Sequence, residues 1–218
     1  MKTHNLHKWR LPNQKIILAS TSATRQKMLA DAGLDFEAIA APIDEEAIRK
    51  SAEADLMPPL DVAILLAELK AQRLAIQGIN DTIIGCDQLL ECEGILYGKP
   101  KTKSSAASQL LQLSGKQHRL ITAAVIFQNG QRVWHAHAAP RLAIRTMTED
   151  EIEAYLDRIG DAAFFSPGSY QIEGFGAQIL SMCDGDPYAI LGMPLLDILG
   201  FLRNHGLKLQ ADIVRDDV

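Results

Sequence analysis

The feature that most constrains this chain is an apolar run, Ile16-Ile17-Leu18-Ala19. It gives way at once to Ser20-Thr21-Ser22 and then to a helical pattern carrying Met28, Leu29 and Ala32. A short apolar run bounded by polar residues predicts a buried strand. Ser22 suits the N-cap, where its hydroxyl accepts a bond from an unpaired amide of the first turn, and Gly33 suits the left-handed position past the helix end. A strand that turns straight into a helix aims free amides and the positive end of the helix dipole at the space in front of it. Arg25 adds a full charge there, so the turn would accept an anion, phosphate by preference. An ordinary capped helix with a solvated arginine accounts for the same residues.

Further along, Phe36 to Ala41 alternates loosely and predicts a second strand, which runs into Asp44-Glu45-Glu46. Three adjacent carboxylates repel one another unless they are solvated, start a helix or hold a cation. Leu60 to Gln77 predicts an amphipathic helix with Leu65, Leu66, Leu69 and Ile76 on one arc and Lys70 at its edge. That lysine can snorkel to solvent or reach an anion. Thr82-Ile83-Ile84-Gly85-Cys86-Asp87-Gln88 predicts a buried strand ending in a carboxylate, and in α/β sheets ligands gather beyond such ends. A turn-forming or capping aspartate is the alternative.

Leu89 to Tyr97 predicts a hairpin turning at Glu93-Gly94, followed by Lys99 on a rigid base set by Pro100. A helix over Lys103 to Leu113 precedes His118, whose place at the start of a strand suits a structural role better than a catalytic one. Arg119 to Phe127 and Gln131 to Ile144 predict two strands about Asn129-Gly130, and Thr148 with Glu151 predicts a capped helix ending at Gly160. The irregular alternation of strands, helices and hairpins predicts an α/β architecture, a mixed sheet flanked by helices.

Composition narrows the function. With 218 residues, 47% hydrophobic and 22% charged, the chain has ample length for a real core, and no apolar run approaches the ~20 residues that would span a bilayer. The first fourteen residues are polar and basic and lack the apolar core of a secretory signal. Three cysteines without metal-like spacing suggest reduced thiols in a cytoplasm. A net charge of -5 argues against a nucleic-acid partner, while a local basic pocket can still take a phosphate substrate.

Several of these segments together resemble one family. Leu18-Ala19-Ser20-Thr21-Ser22-Ala23-Thr24-Arg25 is similar to the opening motif of the Maf family, Leu-Ala-Ser-x-Ser-Pro followed by two positions of which the second is Arg. Leu69-Lys70-Ala71, Gly85-Cys86-Asp87-Gln88, Lys99-Pro100, Ser114-Gly115-Lys116-Gln117-His118 and Asp184 to Pro194 extend the resemblance in order, over residues 15–203. The arm 1–14 and the tail 204–218 lie outside it. Maf proteins are nucleoside triphosphate pyrophosphatases. The resemblance implies an elongated, two-lobed α/β fold like that of inosine triphosphate pyrophosphatases, with the site in the central cleft.

It also implies the roles. Asp87 would be the general base, with Arg25, Lys70 and Lys99 as catalytic cations and Ser20, Ser22 and Thr24 as substrate contacts. Glu45 and Asp87 would anchor a divalent metal cofactor, Mg²⁺ or Mn²⁺. A homodimer is compatible with the family. Since the family name is linked to septum formation, a catalytically weak nucleotide-binding regulator of cell division is the alternative. The chain departs from the commoner pattern at Ser166, which replaces a lysine, at Gln88, which follows the aspartate where threonine is usual, and at Glu173, which replaces glutamine. Gln88 with Glu173 is similar to the branch that takes 7-methyl-GTP, whereas Thr24 stands where that branch carries tryptophan. A glutamate offers only acceptors, which suit the adjacent N1–H and N2–H of guanine.

Overall fold

The computed structural model describes residues 7–78 and 81–210. Two long antiparallel strands form its spine: β4 (Thr82–Cys92) and β6 (Gln117–Gln128), in register from Ile83 opposite Phe127 to Glu91 opposite Arg119. Shorter strands extend the spine separately at its two ends. At one end, β2 (Ile16–Leu18) runs parallel to β4 over Thr82 to Ile84, β3 (Phe36–Ala38) lies parallel outside β2, and β7 (Gln131–Ala138) pairs with β6. At the other end, β5 (Ile95–Tyr97) pairs with β4 over Leu90 to Cys92. There β8 (Arg141–Ile144) and β9 (Leu180–Asp184) extend β6. The result is a mixed sheet in which one lobe grows on each half of the spine.

Helices cover both faces of the first lobe. α3 (Pro59–Ile76) lies on one side, and α1 (Ala23–Asp31) and α7 (Leu195–Asn204) lie on the other, so Ile83 and Ile84 are both buried although they point in opposite directions. This double cover explains the unbroken apolar run, since a strand with two buried faces has no polar alternation. The second lobe packs α4 (Lys103–Leu113) and α5 (Glu149–Ile159) over Leu90, Tyr97, Leu142 and Ile144. Both tight hairpins follow their turn chemistry. Asn129-Gly130 and Glu93-Gly94 have positive φ at both residues, as a right-twisted two-residue turn requires. The described part of the arm, β1 (Lys8–Arg10), pairs antiparallel with β10 (Lys208–Gln210) of the tail; residues 1–6 and 211–218 lie outside the described residues.

Three sequence expectations change. Asp87 is not at a strand end, because β4 continues to Cys92. The polar Asp87-Gln88 pair reads as a terminus, yet Leu89 and Leu90 resume the burial. The predicted strand Gln131–Ile144 is two strands, β7 and β8. They part at Pro140, which has no N–H for a ladder, and serve different halves of β6. The buried face of α3 consists of Val62, Ala63, Leu66, Ala67, Lys70, Ala71 and Leu74, and Ile76 is 74% exposed.

That small-residue face lets α3 lie unusually close to β4. A Cβ built on Gly85 would come within 2.1 Å of the Ala67 carbonyl oxygen, so only glycine permits the contact. Gly85→Ala should therefore push α3 outward and destabilise the protein by roughly 1–3 kcal/mol, with a disproportionate loss of any activity that depends on Lys70. Urea denaturation beside a turnover assay measures both, and an unchanged midpoint would refute the close-packing account.

Candidate active site

The site follows from where the shorter strands stop. β2 leaves β4 after Ile84, and β5 joins it only at Leu90, so on that edge residues 85–89 of β4 have no strand neighbour. A cleft enters this gap. Asp87 and Gln88 point to opposite faces of the sheet and still line the same cleft, because it wraps the open edge. It spans about 900 Å³ between the lobes, counting the open solvent at its mouth.

On the α3 side, Lys70 reaches over Gly85 to Asp87. Its Nζ lies 2.6 Å from Asp87 Oδ1 and 2.8 Å from Glu45 Oε1. The lysine is buried and does not snorkel to solvent. The three acids after β3 divide their work. Asp44 caps α2 (Glu45–Ala54) by accepting from the Ala47 amide, Glu46 pairs with Lys50 and Lys101, and Glu45 alone turns into the cleft.

The two carboxylates sharing Lys70 differ in character. Burial pushes the Asp87 carboxyl above its ordinary value, with Lys70 and Arg25 opposing, and its Oδ2 is buried without a hydrogen-bond partner. Burial also works to raise Glu45, but Lys70, Lys99 and Arg49 outweigh it and hold that group below its ordinary value. Burial thus favours the neutral form of Asp87, while the surrounding cations favour the ionised form of Glu45. Lys99 lines the same cleft, and burial, with Arg25 nearby, lowers its affinity for its proton.

On the opposite face of the sheet, Ser22 caps α1 through the Arg25 amide, and Ser20 Oγ accepts from the Ser22 amide. Arg25 is largely committed. Its Nε donates to the Gly192 carbonyl at 2.8 Å and its Nη1 to the Cys86 carbonyl at 2.9 Å, which leaves Nη2 as its free end. Gln88 is committed too. Its amide nitrogen donates to the carbonyls of Ala189 and Ile190 at 2.9 and 3.0 Å and to Thr122 Oγ1 at 2.9 Å. Two carbonyls can accept only, so the amide cannot be flipped, and the Gln88 oxygen takes no part in these bonds.

The structure brings Ser22, Thr24, Arg25, Glu45, Lys70, Asp87, Gln88, Lys99 and Glu173 onto one cleft wall, and Ser20 onto its extension along the β2–α1 turn. His118 is not among them. It is buried with Nε2 2.7 Å from the Tyr170 hydroxyl, and burial lowers its pKa to about 4, so it props Tyr170 as a neutral ring. Sequence reasoning missed Arg49, which lines the cleft 3.8 Å from Glu45, and Phe165 at its mouth. The Glu45–Arg49 spacing of four on a helix was the available signal for the first.

A family model described as Maf-like protein matches residues 15–205. The chain belongs to the Maf family. Among its Maf relatives, a protein of Paramagnetospirillum magneticum named nucleoside triphosphate pyrophosphatase is 42% identical over 87% of this chain and 98% of its own length. Proteins of the same name from Nitrobacter hamburgensis and Rhodospirillum rubrum are 43% and 40% identical over 91% and 89% of the chain, covering 97% and 96% of their own lengths.

In this Maf protein Lys70 is the counter-ion of two carboxylates. Lys70→Met should cost roughly 3–5 kcal/mol near neutral pH, where it leaves buried charge uncompensated, and clearly less at pH 4–5, where Glu45 and Asp87 take up protons. Denaturation at the two pH values distinguishes this from simple loss of packing, which would cost the same at both.

Proposed function

We propose that the protein hydrolyses nucleoside triphosphates to the monophosphate and pyrophosphate in this cleft. The observation that carries the reading is the buried, partnerless Oδ2 of Asp87 beside Glu45, whose pKa is held below its ordinary value, with the cations Lys70, Lys99, Arg49 and Arg25 around them. The relatives' name supports the same reaction.

In this mechanism the triphosphate lies along the cations, which neutralise its charge as the transition state spreads it. A water attacks the α-phosphorus and Asp87 takes its proton. The bond to the bridging oxygen breaks, and pyrophosphate leaves with the electron pair, steadied by Lys99 and Arg49. Lys70 holds Asp87 in place and compensates its charge. The residues also suit a divalent cation, Mg²⁺ or Mn²⁺. Glu45 and Asp87 supply carboxylate oxygens, one of them unpartnered, and such ions commonly take one or two carboxylates with the rest from phosphate and water. When bound, the ion would neutralise phosphate charge. No group of three or more His, Cys, Asp or Glu side chains that could hold a metal ion occurs among the described residues. We place the enzyme in the cytoplasm, a location its unpaired cysteines suit. No helix among the described residues is long and apolar enough to cross a membrane.

Asp87→Asn should lower kcat roughly 10²–10⁴-fold while the variant stays folded. In the unaltered protein kcat should fall on acidification through a pKa above the ordinary carboxylate value, because Asp87 must be ionised to act. Pyrophosphate release with Mg²⁺ across pH measures both. Near-normal turnover by a folded Asp87→Asn would remove the base, and absence of steady release by the unaltered protein would favour the nucleotide-binding regulator of cell division instead.

The base end favours guanine. Glu173 and the fixed oxygen of Gln88 are acceptors, which suit the paired donors of guanine and oppose the carbonyl oxygens of uracil and thymine. Thr24 stands at the same cleft where the 7-methyl-GTP branch carries tryptophan, so a demand for the methyl group is not built in at that position. Competition among GTP, 7-methyl-GTP, dTTP and UTP should rank the guanine nucleotides first, and Glu173→Gln should weaken that ranking. A preference for dTTP or UTP in the unaltered protein would overturn it.

A further inference from the structure

We propose that Phe165 is the platform on which the nucleotide base stacks. The inference rests on the pyrophosphatase reading of the cleft and adds a residue to it. Phe165 is 63% exposed and lines both the cleft and its extension along the β2–α1 turn. Its neighbour Phe164 is half-buried against the core of the second lobe, so of two consecutive phenylalanines one packs and the other is held out in solvent.

The other rings nearby are committed. Tyr170 is buried with its hydroxyl on His118, and Phe175 stacks on Tyr155 at 6.0 Å beneath the Arg158 guanidinium. Phe165 is the most exposed ring of this set, and it lines the cleft.

Its backbone is fixed. The Phe165 amide donates to the Ala162 carbonyl, and the following loop is pinned by Ser166 Oγ on the Tyr170 carbonyl at 2.7 Å and by the Tyr155 hydroxyl on the Ser169 carbonyl at 3.0 Å. Ser169 holds a φ of 58°, a left-handed conformation that a serine adopts only when its surroundings impose it. A rigidly mounted, solvated ring loses little freedom on binding and gains by covering its apolar face with a base. The same loop carries Glu173 to the same cleft, so the residue beneath the base and the residue at its edge come from one segment.

Phe165→Ala should raise KM for GTP about tenfold and leave kcat within about twofold, because stacking binds ground and transition states alike. Phe165→Tyr should retain the parent KM. Inorganic tripolyphosphate, which has no base, should inhibit the parent and Phe165→Ala equally. In an Asp87→Asn background, Phe165→Trp should lose fluorescence on adding GTP and not on adding tripolyphosphate, beyond any response of Trp9 and Trp134 in the Asp87→Asn parent.

An unchanged KM for GTP, equal weakening toward tripolyphosphate, or a tryptophan indifferent to GTP would overturn the stacking. Normal pyrophosphate release with a KM indifferent to Phe165→Ala removes the platform and leaves the enzyme. Binding of GTP without release removes the enzyme, and the tryptophan signal then decides the stacking by itself.

Discussion

One buried ammonium group holds the centre of this molecule together. Lys70 comes from α3, Glu45 from the start of α2 and Asp87 from the middle of β4, and their meeting fixes two helices against the spine strand. A lysine can reach that point only because α3 lies close to the sheet, and α3 lies close only because Gly85 has no side chain to meet the Ala67 carbonyl. The small residues Ala63, Ala67 and Ala71 on the facing side of α3 serve the same approach. Packing and charge are therefore one constraint here: the tight contact removes water, and without water the two carboxylates need the lysine.

The second constraint is topological. A strand continuously paired on both edges offers a ligand nothing but side chains, and those point alternately to two separate faces. β4 escapes this because β2 stops at Leu18, opposite Ile84, and β5 reaches only to Tyr97, opposite Leu90, leaving the edge open between them. At that gap Asp87 from one face and Gln88 from the other converge on one cleft, and the Arg25 guanidinium caps the Cys86 carbonyl that would otherwise have no partner. The cleft is thus a consequence of unequal strand lengths, not of a loop laid over a finished sheet.

Much of this is legible in the sequence, and the parts that are not share a cause. The strand–turn–helix at Ile16 to Arg25, both hairpins and the capped helices rest on local chemistry, and they formed as Ser22, Asn129-Gly130, Glu93-Gly94 and Thr148 indicate. The end of β4 was misread because polarity at Asp87-Gln88 marks an open edge, and a missing neighbour looks from sequence like a missing strand. The split at Pro140 depends on which half of β6 each segment joins, a non-local fact. The arc of α3 was misjudged because large apolar residues outweigh alanines in a pattern, while close packing selects the alanines. Short motifs in order indicated which residues would gather, although not that Arg25 and Gln88 would spend most of their hydrogen bonds on the protein itself.

That last point bears on how such a cleft can change its substrate. The end assigned to the phosphates is built from the first lobe's α1, α2, α3 and β4, with Lys99 just beyond β5, and its members are interlocked. Moving Lys70 disturbs Asp87 and Glu45, and moving Arg25 disturbs the Gly192 and Cys86 carbonyls. Of the residues assigned to the base, Gln88 lies on β4, while Phe165 and Glu173 lie on a loop of the second lobe. That loop's backbone is anchored by Ser166, Tyr155 and Gln109, while these two side chains remain exposed. Substitution there changes what the cleft presents without unpairing a buried group, whereas substitution at the other end leaves a charge or a carbonyl unsatisfied. The two ends of the cleft are therefore under unequal physical constraint. Chemistry tied to the spine would stay fixed while recognition by the exposed side chains of the anchored loop is free to vary.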